Sequence, residues 1–165
     1  MLSSQTPEIM KNRFGKLIPE KKDLLPLYIG AGSEIRSTNG KTNLGGTNYS
    51  FDKEDMIKPG ISLEEVIEES IVNFIHTPYI WGGKSSFGID CSGLVQNIFK
   101  QAGIGLPRDA SKQSMIGKTL SFVSESKTGD LAFFDNEEGD ITHVGIITGK
   151  ERDRKSTRLN SSHYS

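Results

Sequence analysis

The sequence predicts an α+β fold, and three observations carry that reading. Helical periodicity is confined to two stretches in the middle of the chain, near residues 63–76 and 91–102. Strand-like runs separated by turn formers come after them, the order expected when a sheet follows its helices. Finally, 18 glycines in 165 residues favour turns and strands over a helix bundle.

The elements follow in order. Residues 1–50 hold a short strand-like run from Leu24 to Ile29, then Gly30-Ala31-Gly32. A polar stretch from Ser37 to Asn48 reads as a linker or long loop. This is too little to bury a core of its own, so residues 1–50 are expected to be an N-terminal extension or the remnant of a small β module. Pro59-Gly60 stops what precedes, and Ser62-Leu63-Glu64-Glu65 is a capping box. Leu63, Val66, Ile67, Ile71, Phe74 and Ile75 recur at helical spacing, which predicts a helix from Leu63 to His76, ended by Thr77-Pro78.

A glycine-rich loop runs from Tyr79 to Ile89. A second helix begins at or just before Cys91, with Leu94, Val95, Ile98, Phe99 and Ala102 on its apolar face and Gly103 as its stop. Asp109 is a suitable N-cap for a short helix reaching Met115. Strands are predicted over residues 119–123, 130–134 and 143–148, the last two joined by an acidic hairpin turn from Asp135 to Asp140.

Composition narrows the function. Lys+Arg number 20 against 21 Asp+Glu, a net charge of −1, so the basic excess of a nucleic-acid binder is missing and no nucleic-acid partner is expected. No run reaches the roughly 20 apolar residues of a membrane helix. The opening MLSSQTPEIMKNRFGK has no apolar stretch of the signal-peptide kind, which fits a cytoplasmic chain or one whose start is missing. One cysteine excludes an intramolecular disulfide framework and a multi-cysteine zinc site, and three histidines leave little for a histidine-built centre. Neither a metal nor a cofactor is expected.

Cys91 is the first residue with chemistry to offer. It stands behind the glycine-rich loop in Gly88-Ile89-Asp90-Cys91-Ser92-Gly93, at a helix start, where the partial positive charge favours thiolate. Gly93 lets another chain segment or a substrate come close to the first turn. A nucleophilic thiol needs a base, and His143, at the start of a strand beside a turn, could face such a helix end. His76 is better explained as a cation complementing the end of the first helix.

Five blocks of residues now fall into a known order. Tyr79-x-Trp81-Gly82-Gly83, Asp90-Cys91-Ser92-Gly93-Leu94-Val95, Leu106-Pro107-Arg108 with Ser111 and Gln113, Gly129-Asp130-Leu131, and His143-Val144-Gly145-Ile146 resemble the NlpC family of bacterial cell-wall cysteine peptidases. The resemblance covers Gly60 to about Gly149 and implies a papain-like core, its nucleophile on a helix packed against an antiparallel sheet that bears the base. It also implies hydrolysis of peptide bonds in peptidoglycan stem peptides, commonly between γ-D-glutamate and a diamino acid.

Carried over by position, Cys91 is the nucleophile, His143 its general base, and Tyr79 the aromatic residue lining the pocket. Asp90 and Ser92 match positions that help to recognise the L-alanyl amine of free stem peptides, with helix capping the other role open to Asp90. Trp81 is either a packing anchor or a substrate contact, and Arg108 suits a structural salt bridge, with contact to a substrate carboxylate the other role open to it. A third polar residue should follow about a dozen positions beyond the base. That count lands near Lys155, where no His, Asn or Gln stands, so no orienting residue is assigned. Ahead of the peptidase, relatives often carry small barrels of the bacterial src-homology-three kind, and residues 1–36 suit the end of one. A related Cys–His amidase or acyltransferase would use the same pair, whereas a non-catalytic wall-binding module would need neither residue.

The tail breaks with everything before it. From Asp153 to His163, DRKSTRLNSSH is polar and aperiodic. Back-translated, it resembles a synthetic adapter used in DNA sequencing libraries. The native frame is therefore expected to end near Arg152, with a peptidase domain over residues 60–152 and a non-native tail over 153–165. On that expectation the strand at His143 is left as an exposed edge, and the chain as given is inactive or folds poorly.

Overall fold

A computed structural model describes residues 7–58 and 60–149; the tail and the position expected for an orienting residue lie outside them. The first 50 described residues build a β unit. Strands β1 (Glu8–Ile9) and β4 (Glu34–Ile35) pair with each other, while β2 (Phe14–Pro19), β3 (Leu27–Gly30), β5 (Lys41–Leu44) and β6 (Thr47–Ser50) form a sheet in the order β3-β2-β6-β5. Leu17 on β2 and Tyr49 on β6 turn inward and join Met10, Ile35, Phe51 and Met56 in a buried cluster.

Two expectations are corrected here. The segment read as a linker over 37–48 is mostly a β-hairpin, and the first part of the chain does bury a core of its own. The hairpin forms because Gly45 and Gly46 take φ of 56° and 80°, which suits a two-residue turn whose twist matches the flanking strands. The strand read as starting at Leu24 starts at Leu27, past Pro26, which has no N–H to give to a ladder.

Helix α1 (Leu63–Phe74) begins as expected, with Ser62 accepting from the Glu65 amide and Glu65 accepting from the Ser62 amide. It ends two residues earlier than predicted, and exposed His76 takes a left-handed φ of 65° just beyond it. The glycine-rich loop folds on itself as two short strands, β7 (Lys84–Ser85) and β8 (Gly88–Ile89). Helix α2 (Cys91–Gln101) then runs with Val95, Ile98 and Phe99 buried, one apolar stripe at helical spacing. Helix α3 (Ala110–Gln113) is shorter than expected, and its N-cap residue Asp109 makes no capping bond but pairs with Lys112 at 3.3 Å.

The sheet of this half is a hairpin of β9 (Leu131–Asp135) and β10 (Ile141–Ile146). The strand expected over 119–123 is not formed; an irregular segment with a bend at Ser121 leads there into a single 3₁₀ turn, Val123–Glu125. β9 pairs only with β10 among the described residues, so this run lacks the ladder that would convert its β propensity into a strand. Val144 on β10 packs with Val95 and Phe99 of α2 and Ala110 of α3, pressing the hairpin onto the start of α2. The result is an α+β fold with helices on an antiparallel sheet.

Candidate active site

The site is assembled by α2 and β10. Asp90 is the N-cap of α2: its Oδ1 accepts from the Gly93 amide at 2.7 Å, which makes Cys91 the first helical residue. Four residues on, Val95 is buried against Val144, so the same face of α2 brings Cys91 to the strand residue preceding Val144, His143. Thiol and imidazole stand close enough that each shifts the titration of the other.

The strand reaches that position through an irregularity. Ile141 stands opposite Asp135 and His143 opposite Phe134, so Thr142 is one residue more on β10 than β9 can match. Such a bulge twists a strand and redirects the side chains after it. The imidazole then lies beside the Phe134 ring, with centroids 5.7 Å apart and planes tilted by 44°.

Electrostatics favour the charged pair. Burial pushes the Cys91 thiol up, but the His143 hydrogen bond, the Val144 amide, the imidazole charge and the Ser92 amide together hold it below its ordinary value. The bond to Cys91 raises His143 above its ordinary value, against the effect of burial. Each group thus shifts towards thiolate and imidazolium, the form in which cysteine is the better nucleophile.

The other expected residues divide into two sets. Tyr79, at the head of the loop, is 55% exposed and its backbone bridges to Ile89, two residues before Cys91. Trp81 is 86% exposed, so of the two roles left open for it, packing anchor is ruled out. Asp90 and Ser92 are turned into the protein, 7% and 6% exposed. Asp90 Oδ1 accepts from Gly93, Ser92 Oγ and Arg108, and its Oδ2 from the Gly82 amide and Arg108. Burial pushes this carboxyl up, yet the Arg108 fork and the two amides outweigh it and hold it below the usual carboxylate range. Asp90 is thus a helix cap and an ion-pair partner.

Sequence reasoning missed three features. The bulge at Thr142 left no signal in the residues around it. Gln113, buried, donates to the carbonyls of Ser92 and Pro107; its place in the third family block marked the residue but not this bracing role. Arg108 was assigned a salt bridge, but its reach to Ser92 and Gly83 was not foreseen. Among the described residues no group of three His, Cys, Asp or Glu is placed to hold a metal ion.

A helix-borne thiol beside a strand-borne imidazole, on an α+β frame, is the arrangement of the papain-like fold. The NlpC/P60 family model matches residues 76–161, just over half of the chain, and the chain belongs to that family. A gamma-D-glutamyl-L-lysine dipeptidyl-peptidase of Bacillus subtilis is 46% identical over 88 residues, covering 52% of this chain and 29% of the relative. A gamma-DL-glutamyl hydrolase of the same organism is 35% identical over 144 residues, 80% of this chain and 34% of the relative.

Among solved structures, an NlpC/P60 family protein from Bacillus cereus superposes with a TM-score of 0.75 at 25% identity, over 87% of this chain and 52% of that one. An NlpC/P60 endopeptidase from Photobacterium damselae shares the fold with a TM-score of 0.64 at 22% identity, over 86% of this chain and 37% of that one. The chain spans about a third of the length of these two curated relatives.

Proposed function

We propose that the chain is a cysteine endopeptidase that hydrolyses peptidoglycan stem peptides at the bond between γ-D-glutamate and a diamino acid. The observation that carries this is the pairing of Cys91, first residue of α2, with His143 of β10, two groups that shift each other's titration. The names of the two Bacillus subtilis relatives, both for action on γ-glutamyl bonds, favour this substrate class over another amide or ester.

The mechanism follows from the pair. The Cys91 thiolate attacks the γ-glutamyl carbonyl carbon while His143 holds the proton as imidazolium. Collapse of the tetrahedral intermediate breaks the C–N bond, and the imidazolium gives its proton to the departing amine. Water, deprotonated by the now neutral His143, then attacks the thioester and returns the thiol. In this reading exposed Tyr79, whose backbone bridges to Ile89 ahead of Cys91, is the pocket-lining aromatic, and the buried Asp90 and Ser92 would meet the L-alanyl amine of the peptide. In the same reading, the β unit ahead of residue 60 is a module of the src-homology-three kind.

The test is incubation with L-Ala-γ-D-Glu-diaminopimelate and assay of newly released amines. Cys91→Ala should lower turnover by at least about 10³-fold with the fold intact. Undiminished turnover in that variant would dismiss the thiol mechanism.

A further inference from the structure

Arg108 stands in the turn between α2 and α3, 17 positions along the chain from Cys91, yet its guanidinium ends at the start of α2. Nη1 donates to Asp90 Oδ1 and to Ser92 Oγ, each at 2.8 Å. Nη2 donates to Asp90 Oδ2 at 2.5 Å and to the Gly83 carbonyl at 3.3 Å. One planar fork therefore joins three pieces of chain: the glycine-rich loop, the N-cap and the first helical turn.

Cys91 lies between two of the residues so held. The ion pair is well shielded, with the Asp90 side chain 9% and the Arg108 side chain 28% exposed, so water competes poorly for these donors. The loop rests directly on the helix end as well: a Cβ on Gly93 would lie 2.4 Å from the Gly83 oxygen. The Asp90 carboxylate reaches the same pieces through the Gly82 and Gly93 amides, and the fork holds that carboxylate in place. A lysine ammonium, a point charge without a planar fork, could not meet these acceptors together.

We propose that Arg108 is the positioning residue of the nucleophile, fixing the direction in which the Cys91 sulfur leaves α2 towards His143 by clamping Asp90, Ser92 and Gly83. It rests on the reading of Cys91 as nucleophile, and it gives Arg108 no contact with reacting atoms. Asp90 then serves the reaction through its grip on the helix start. The guanidinium also sets a compensating positive charge beside the Asp90 carboxylate, which would otherwise stand unpaired next to a forming thiolate.

The experiment compares Arg108→Met and Arg108→Lys with the parent chain by two measurements. The first is the rate of alkylation of Cys91, the chain's one cysteine, by iodoacetamide from pH 5 to 9. The second is kcat and KM on L-Ala-γ-D-Glu-diaminopimelate. In Arg108→Met the thiol titration should move to higher pH, with alkylation at pH 7 falling roughly 5- to 10-fold, because a neighbouring unpaired carboxylate disfavours thiolate. Its kcat should fall about 10- to 100-fold with KM within about twofold, the signature of lost alignment. Arg108→Lys, which keeps charge without the fork, should recover much of the titration and little of kcat.

An unmoved alkylation profile in folded Arg108→Met, or a loss confined to KM, overturns the proposal, the second outcome making Arg108 a substrate contact. Should the methionine variant fail to fold, unaltered kcat in Arg108→Lys overturns it equally. Alkylation needs no peptide, so the profile decides the clamp whether or not the parent chain cleaves the stem peptide, and the turnover assay alone bears on the peptidase reading.

Discussion

A thiol and an imidazole that each perturb the other make their pH dependence a property of the pair. Cys91 lies below its ordinary value and His143 above its own, so thiolate–imidazolium is the reactive form between the two titrations. Hydrolysis should therefore follow a bell. Its acid limb falls below the ordinary thiol value of about 8.5, and its alkaline limb lies above the ordinary imidazole value of about 6.5. The sign is fixed by what each limb removes: acid protonates the thiolate, and alkali takes the proton that the leaving amine needs. His143→Ala should abolish the bell and shift Cys91 alkylation to higher pH, because the hydrogen bond and the charge that lowered the thiol are both gone. Iodoacetamide kinetics across pH in the two proteins measure this. A thiol titration unmoved by His143→Ala would mean that the pair is not coupled.

Elements place these residues, and their legibility in the sequence varies with how local their causes are. The capping box at Ser62 and the start of α2 at Cys91 were readable because each rests on side chains within four residues of one another. The hairpin of β5 and β6 was missed although Gly45-Gly46 is a sufficient local signal, since its polar strands looked like a linker. The strand expected over 119–123 failed for the opposite reason: its composition suited a strand, but strand formation depends on a partner elsewhere. Cys91 and His143 could be named from the chain; the bulge at Thr142 that aims the latter could not.

The close seat of the loop on α2 is a prediction at the same scale. In Gly93→Ala the new methyl would sit 2.4 Å from the Gly83 oxygen and 2.9 Å from Asp90 Oδ1, both held by other bonds. We expect a loss of about 1–3 kcal/mol and a fall in turnover. Gly103→Ala faces open space at a φ of 77° and should cost about 1 kcal/mol with turnover unchanged. Thermal unfolding beside turnover separates them, and equal turnover in the two variants would contradict the contact.

Across the whole molecule, the β unit and the helical half are joined by shared packing. Ala31, between β3 and β4, is buried with Val66, Ile67 and Phe74 of α1 and Ile98 of α2. Asn97 of α2 donates to the carbonyls of Ala31 at 3.0 Å and Lys84 at 3.4 Å, and accepts from Gln101 at 2.9 Å. Asn73 of α1 accepts from the Arg13 amide and donates to the Lys11 carbonyl, a second reciprocal tie. Glu34 and Lys100 add an exposed ion pair at 3.4 Å, which contributes little by itself. Asn97 is the informative residue because it sits on the helix that begins at Cys91: the β unit braces the rear of the element that carries the thiol. Asn97→Leu would strip partners from two backbone carbonyls and from Gln101, a loss of about 1–3 kcal/mol for each group left buried without a partner. Because the two halves share that core, the loss should lower both together. Amide hydrogen exchange reads this directly: protection at Leu17 and Tyr49 in the β unit should fall in step with protection at Ile67 and Val95. Exchange that quickened only in α1 and α2, with Leu17 and Tyr49 unmoved, would show two units that fold independently and leave the β unit no part in holding Cys91.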